Sequence, residues 1–565
     1  MSAAWRHLTA LTLTLWLGAC SQTTPDSISN TPAQSAIASA HPAATEAGMA
    51  VLREGGNAFD AAIAVAASLG VVEPYSAGLG GGGFWLLYDA QQKKYRFIDA
   101  REKAPLAAHR DYYLNDDGTV DRDRAVNGPG AAAIPGQAAA FAHIASHYGT
   151  LPLARTLQAA IDQAQNGFAV DDHYRMLMNY RLQAVRRYPH SASVFLDNNE
   201  IPQQGYILRQ PDLAATLQRL AKHGHDGFYN GETAQRLLKA VKQHGGDWQT
   251  EDLRSYQVIE REPLRVRFGN TEVISAPPPS SGGIALIQML NMLSQTHWRT
   301  LDNIAQTHLL VEIMRRAYHD RARFLGDPDF VDVPTEQLIS EQHNAQWLSS
   351  VRMDQATPSL SLKGPANISE GFHTTHLSVI DQAGNMVSAT LSINLPFGSA
   401  FTAAGTGILL NNEMDDFSAA PGAANAYGLT GNEANAIAPG KRPLSSMTPT
   451  IVRSPQQTAV IGTPGGSRII TMVLLGTLEH LQDKPVDDWV SRKRFHHQYL
   501  PDVIQHEPDT FSSEEKAALQ ALGHQLKDVG RRYGNMQAIL WDHESRQVSA
   551  ASDPRAIGQA SIEPL

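Results

Sequence analysis

One cysteine, Cys20, is all the thiol this 565-residue chain carries. An internal disulfide and a cysteine-based metal site are both excluded. Positive charge is in deficit too: 46 Lys and Arg against 56 Asp and Glu leave a formal net charge of −10. No run of Lys or Arg is interleaved with aromatics, so the footprint of a nucleic-acid binder is missing. Beyond the N-terminal stretch no segment has 18 uninterrupted apolar residues, the length a membrane-crossing helix needs, and the body is expected to be soluble. No repeat period is evident. What remains, 42% hydrophobic and 18% charged, is the composition of a globular protein with two or more domains or one large layered core.

The lone cysteine has a position that explains it. Arg6 and His7 precede an apolar stretch, Leu8 to Leu17, too short to span a bilayer as a mature helix and suited to the h-region of a signal. It ends in Leu17-Gly18-Ala19-Cys20, which resembles a bacterial lipobox, where the cysteine is lipidated and becomes the new N-terminus. Residues 1–20 are read as a lipoprotein signal peptide. Residues 21–42, rich in Ser, Thr, Ala and Pro, are read as a flexible tether. Ser21 after the cysteine, where Asp is absent, points to the outer membrane, facing the bacterial periplasm.

From Thr374 the chain alternates apolar and polar residues, turns at Asp381-Gln-Ala-Gly-Asn385, and alternates again from Met386. This is the signature of a β-hairpin. A turn centred on Ala383 sets Ser392 opposite Thr374, where cross-strand Cβ atoms approach to about 4.5–5.5 Å. Asn394 follows on the same face by the period-2 rule. A threonine at a strand start, faced by a second hydroxyl and an amide, is a candidate nucleophile, although a Thr–Ser pair by itself often does no more than stabilise a sheet.

Two glycine-rich runs need separate readings. Gly78-Leu-Gly-Gly-Gly-Gly83 fits a dinucleotide-loop pattern, but helical residues precede it and the strand Phe84–Tyr88 follows. A nucleotide loop needs the reverse order, so no cofactor is assigned. Gly462-Thr-Pro-Gly-Gly466 follows a strand, Ala459–Ile461, and precedes a helix beginning at Arg468. That order presents backbone N–H groups to an anion, as an oxyanion hole does.

Taken together, these segments resemble the γ-glutamyltranspeptidase (glutathione hydrolase) family of N-terminal nucleophile hydrolases. The resemblance runs from about Ala43 to Arg555. It is carried by Asp99-Ala-Arg-Glu-Lys-Ala-Pro105, Tyr148-Gly-Thr-Leu-Pro152, Pro277 to Gly283, Leu325-Gly-Asp-Pro-Asp-Phe330, Asn411-Asn-Glu-Met-Asp-Asp-Phe417, Lys441-Arg-Pro-Leu-Ser-Ser-Met447 and Thr463-Pro-Gly-Gly-Ser-Arg468. It implies an α+β fold, a four-layer αββα sandwich built jointly by a large subunit (43–373) and a small one (374–565), separated by self-cleavage before Thr374 and held as a heterodimer.

The resemblance also implies roles. Thr374 would be the nucleophile, with Ser392 as the second hydroxyl and Gly465 and Gly466 as the oxyanion hole. Arg101, Ser445 and Ser446 would bind the α-carboxylate of a γ-glutamyl donor, and Asn394, Glu413 and Asp416 its ammonium. Asp415 is the alternative to its neighbour Asp416. Tyr427 would be the lid tyrosine. The implied partners are glutathione and other γ-glutamyl compounds as donors, and amino acids or dipeptides as acceptors, with no metal and no cofactor. His496-His497 is read as structural, because neighbours on a strand point apart. Ser392 stands where many members have Thr, and Gly371 where Ser is common before the cut. Two other readings use the same residues: a relative specialised for glutaryl-cephalosporin-type acyl groups, and an unprocessed, inactive binding lipoprotein.

Overall fold

The computed structural model describes residues 31–362, 374–419 and 433–564. Two antiparallel sheets lie face to face at its centre. The first has seven strands in the order 559–563, 35–39, 374–380, 386–392, 82–89, 94–100 and 259–261. The second has six, in the order 548–552, 537–542, 457–462, 450–453, 271–275 and 264–268. The hairpin of residues 374–392 forms in the expected register, with Ser392 opposite Thr374 and Met386 opposite Ile380.

Alternation along each strand divides the core into two. On the outer face of the first sheet, Ile37, Trp85, Leu87, Leu377, Val379 and Ala389 pack on the helices Pro42–Arg53 and Ala58–Val72 and their neighbours. On its inner face Ala36, Ala38, Phe84, Leu86 and Ile380 meet Val460 and Ile539 of the second sheet, whose neighbours Ile461 and Ala538 point to its far side. The helices Gly282–Ser294, Asn303–Phe324 and Arg468–His480 cover the far side of that second sheet. The result is the expected helix–sheet–sheet–helix order, α+β in class. One helix ends at Arg53, just before Gly55-Gly56, and Asn57 and Asp60 form a capping box for the next. Among the described residues no helix is long and apolar enough to cross a membrane.

Residues on either side of position 374 share both sheets. Strand 374–380 lies between 35–39 and 386–392, and strand 386–392 also pairs with 82–89. In the second sheet 450–453 pairs with 271–275. A break in the chain before Thr374 would leave every one of these ladders in place.

The expected tether over 21–42 needs correction. Residues 1–30, Cys20 among them, lie outside the described residues, but Ser35–Ser39 is a fully buried strand paired on both sides. Its composition of Ser and Ala looks like a linker. The small side chains instead let two layers close over it: Ala36 and Ala38 face the second sheet and Ile37 the outer helices. Ser39 Oγ is satisfied by Thr45 Oγ1 at 2.7 Å. Ile37→Ala should therefore cost about 2–5 kcal/mol, the range for large-to-small changes in a core, and lower the melting temperature; a tether residue would tolerate the change with the midpoint unmoved.

Candidate active site

Thr374 is the first residue of its strand, and its Oγ1 is buried with no hydrogen-bond partner among the described residues. A buried hydroxyl left unpaired forfeits about 1–3 kcal/mol and calls for a reason. Its cross-strand neighbour is engaged: Ser392 Oγ accepts from the Asn394 N–H at 2.8 Å. Asn394 turns out of the strand at φ 71°, and its Nδ2 donates to Asn412 O at 2.9 Å. Asn412 Oδ1 in turn accepts from the Leu395 N–H.

The glycine run before strand 82–89 has a packing purpose here. A Cβ on Gly81 would stand 2.1 Å from Ser392 O, so glycine is what allows this backbone against the one that carries Ser392. The residue after the candidate nucleophile points the other way, and Thr375 Oγ1 donates to Glu73 Oε2 at 2.9 Å. Burial pushes the Glu73 carboxyl up to about 7.

Arg101 leaves the end of strand 94–100 and is buried with several oxygens around its guanidinium. Nη1 donates to Glu413 Oε2 at 2.7 Å and Nη2 to Asp416 Oδ2 at 2.5 Å. Nε reaches Pro443 O and Nη2 Leu444 O, the two residues before Ser445. Glu413 and Asp416 sit on the short 3-10 turn Glu413–Asp416. Burial raises the Glu413 carboxyl well above its ordinary range, against the opposing pull of Arg101. The adjacent acids are separated by geometry: Asp416 reaches Arg101, whereas Asp415 faces Arg122 at 3.3 Å and is pushed up to about 7 by burial.

Ser445 and Ser446 are held from behind by the loop Pro277–Gly283. The Ser445 N–H donates to Pro279 O, and Ser281 Oγ donates to Ser445 O at 2.7 Å. Ser446 Oγ accepts from Arg321 Nη2 at 3.0 Å.

The second glycine run folds as its order implies, with strand Gln457–Gly462, then the loop, then helix Arg468–His480. Gly465 has φ 140° and Gly466 φ 60°, values that suit glycine and disfavour side chains. Neither residue's N–H donates to a protein group among the described residues. Tyr318 OH donates to Ser467 O and Ser467 Oγ donates to Gln498 Oε1, fixing the turn into the helix.

One small cleft collects these groups: Arg101, Thr374, Ser392, Asn394, Asp416, Ser445, Ser446 and Gly466 all line it. Glu413 stands behind it on Arg101. Gly465 lines a neighbouring cleft that also reaches Thr374. Tyr427 lies outside the described residues. His496 is occupied by Thr471 Oγ1 and Gln498 Oε1, and His497 by Asp502 and the Tyr499 N–H.

Sequence reasoning missed Asn412, Ser281, Arg321 and Glu73. A signal existed for Arg321: helix 303–324 buries Glu312, Arg315, Arg316, His319, Asp320 and Arg321, and buried charge is rare unless paired or functional. The others carry no local signature.

A threonine with a buried, unpaired hydroxyl opens a central strand of a four-layer αββα body, near two glycines whose N–H groups have no protein acceptor among the described residues. This is the arrangement of an N-terminal nucleophile hydrolase. Known proteins agree. The family model described as gamma-glutamyltranspeptidase matches residues 44–563. The glutathione hydrolase proenzyme of Escherichia coli is 38% identical over 531 residues, 93% of this chain and 91% of that one. The proenzyme of Pseudomonas aeruginosa is 41% identical over 517 residues, covering 90% and 91%. Among solved structures, the cephalosporin acylase of Bacillus halodurans superposes with a TM-score of 0.83 at 26% identity, covering 94% of this chain and 96% of its own. The γ-glutamyltranspeptidase of Helicobacter pylori reaches 0.56 at 36% identity over 57% of this chain and 93% of its own. The chain belongs to the γ-glutamyltranspeptidase family.

Proposed function

We propose that this chain is a glutathione hydrolase and γ-glutamyltransferase, made as a precursor that cuts itself between His373 and Thr374. The observation that carries the reading is the buried, unpartnered Thr374 hydroxyl in one cleft with Arg101 and Asp416. Cleavage turns an internal amide into a free α-amine with pKa near 8, close enough to neutrality to act as general base for its own residue's hydroxyl. Thr374 Oγ attacks the γ-glutamyl carbonyl, and the amine takes the hydroxyl proton. The Gly465 and Gly466 N–H groups receive the oxyanion, where one lost donor costs about 2.7–4 kcal/mol. The proton passes to the leaving amine as the C–N bond breaks. Water or an amino acid or dipeptide then takes the acyl group from Thr374.

The donor's α-carbon carries a carboxylate and an ammonium, and the cleft offers opposite charges side by side. In this reading the carboxylate goes to Arg101 with Ser445 and Ser446, and the ammonium to Asp416 with Glu413 and Asn394. Without donor these ions pair with one another. An entering zwitterion exchanges those partners and buries no net charge, which matters because an isolated buried ion is prohibitive. Ser392 orients the nucleophile.

A second reading, a glutaryl-cephalosporin-type acylase, is favoured by the likeness in fold to the Bacillus halodurans enzyme. A glutaryl donor lacks the ammonium, so its carboxylate on Arg101 would bring no new cation to Asp416 and Glu413. For the segment ahead of the body, residues 1–20 act as a lipoprotein signal peptide, and lipidated Cys20 anchors the enzyme to the outer membrane on the periplasmic side. The two subunits, 43–373 and 374–565, remain a heterodimer.

Thr374→Ala should stay a single full-length chain without activity, while the wild type yields a small fragment whose N-terminal sequence starts at Thr374; any other start overturns the assignment. Asp416→Ala should lower kcat/KM for a γ-glutamyl anilide tenfold or more, since a hydrogen bond to a charged group contributes about 1.5–3 kcal/mol, and should leave a glutaryl donor unaffected or slightly improved. A wild type that prefers the glutaryl donor makes the chain an acylase. Cys20→Ser should release activity from membranes into the soluble fraction; a wild type already soluble rules out the anchor.

A further inference from the structure

The active-site groups all lie at one end of the two sheets. Thr374 pairs with Ser392 there, and Gly83 pairs with Ala100 just ahead of Arg101. Gly462, against which the His376 ring packs, opens the loop of Gly465 and Gly466 at the same end. The opposite end is made of turns. Residues 381–385 close the hairpin, 90–93 join the next two strands, and 454–456 and 543–547 do the same in the second sheet. From Ile380 to Thr374 the strand alone covers about 20 Å, at 3.3–3.4 Å per residue.

The N-terminal segment joins the body among those turns. Thr31 O accepts from Arg546 Nε at 2.9 Å, the Ala33 N–H donates to Arg546 O at 2.9 Å, and Gln382 Nε2 donates to Ala33 O at 2.7 Å. Strand 35–39 then runs toward the active-site end, with Ala36 opposite Ile380 and Ser39 opposite Leu377. The turns present polar groups to the outside: Gln91, Lys93, Lys94, Gln456 and Glu544 are exposed. The large apolar side chains that the body exposes, such as Met176 and Tyr180, lie on other segments. The Lys93 and Lys94 side chains make no ion pair among the described residues.

We propose that the turn end is the surface this protein lays against phospholipid headgroups, and that the active site opens away from the membrane. The anchored enzyme then takes its substrates from the aqueous side and not from the bilayer. The proposal rests on lipidation at Cys20. Length decides the orientation. Thr31 is eleven residues on from Cys20, a path of no more than about 40 Å at up to 3.6 Å per residue. The body, residues 31–565, has a radius of gyration of about 24 Å and is about 60 Å from end to end. To bring Thr374 to the membrane, the chain would have to run from the turns along the whole body, farther than it reaches. The composition of the turns agrees. A polar end stays at the headgroup level without entering the hydrocarbon, and the unpaired Lys93 and Lys94 suit anionic lipids.

The test exploits the single cysteine. Lipidation consumes the Cys20 thiol, so a second cysteine placed elsewhere is the one free thiol for a dye. Ala383→Cys puts the dye on the hairpin turn, and Met176→Cys puts it at the mouth of the cleft beside Thr374; both positions are exposed. Each full-length lipidated protein is bound to vesicles of phosphatidylethanolamine and phosphatidylglycerol that carry a headgroup-linked energy acceptor. The Ala383 dye should lose most of its emission to the lipid, and the Met176 dye should keep most of its own. Equal losses, or the greater loss at Met176, overturn the orientation and leave the anchor standing. Protein that does not float with the vesicles overturns the anchor, and the orientation with it. Glutathione hydrolysis by the vesicle-bound wild type should match that of the soluble Cys20→Ser protein. A severalfold loss on binding would set the mouth against the lipid and overturn the proposal.

Discussion

The antiparallel pairing of residues 374–380 with 386–392 sets every other distance in the site. Thr374 has its position because it pairs with Ser392, and Ser392 because its strand is clamped on the other side by 82–89 through glycines that admit no Cβ. A slip of one residue would turn every side chain of the hairpin to the opposite face. The Thr374 hydroxyl would then leave the cleft, and Leu377 and Val379 would lose the outer helices. Two cores, one on each face of this sheet, enforce the register. The chemistry therefore draws on the burial that stabilises the fold, and the same ladders explain why a cut before Thr374 need not separate the fragments.

The charges in the first cleft obey a second constraint. Arg101 and Glu413 are taken from water and Asp416 largely so, and removing one partner from such a set costs more than the pair contributes. A donor whose α-carbon carries both signs can enter without leaving any of them alone. On the proposed reading the site selects by electrostatics as well as by shape, since a donor of one charge sign would leave an ion unpaired.

Much of this was legible before any coordinates. The hairpin register follows from a period-2 pattern and a single turn, both local in the chain. The strand, glycine loop and helix at 457–480 follow from their order in the chain, as does the helix-before-strand order around the first glycine run. The convergence of Arg101 with Asp416 had no such local signal. More than three hundred residues separate them, and only resemblance to a family joined them. The buried strand 35–39 was misread because its Ser and Ala residues match a linker in composition, while their burial depends on strands hundreds of residues away. Asn412, Ser281 and Arg321 escaped for the same reason: they act by holding other residues, and the contacts that give them purpose form only when distant segments pack.

The claim at the centre is that the hydroxyl of Thr374 carries the acyl group. Acid-quenching the processed enzyme during turnover of a γ-glutamyl donor, with no amine acceptor present, traps whatever covalent species accumulates. Mass spectrometry of the digested small fragment should find one added glutamyl group on the peptide that begins at Thr374, bound as an ester and lost on mild alkaline treatment. An adduct on any other residue, or steady turnover with that peptide never modified, would contradict the account.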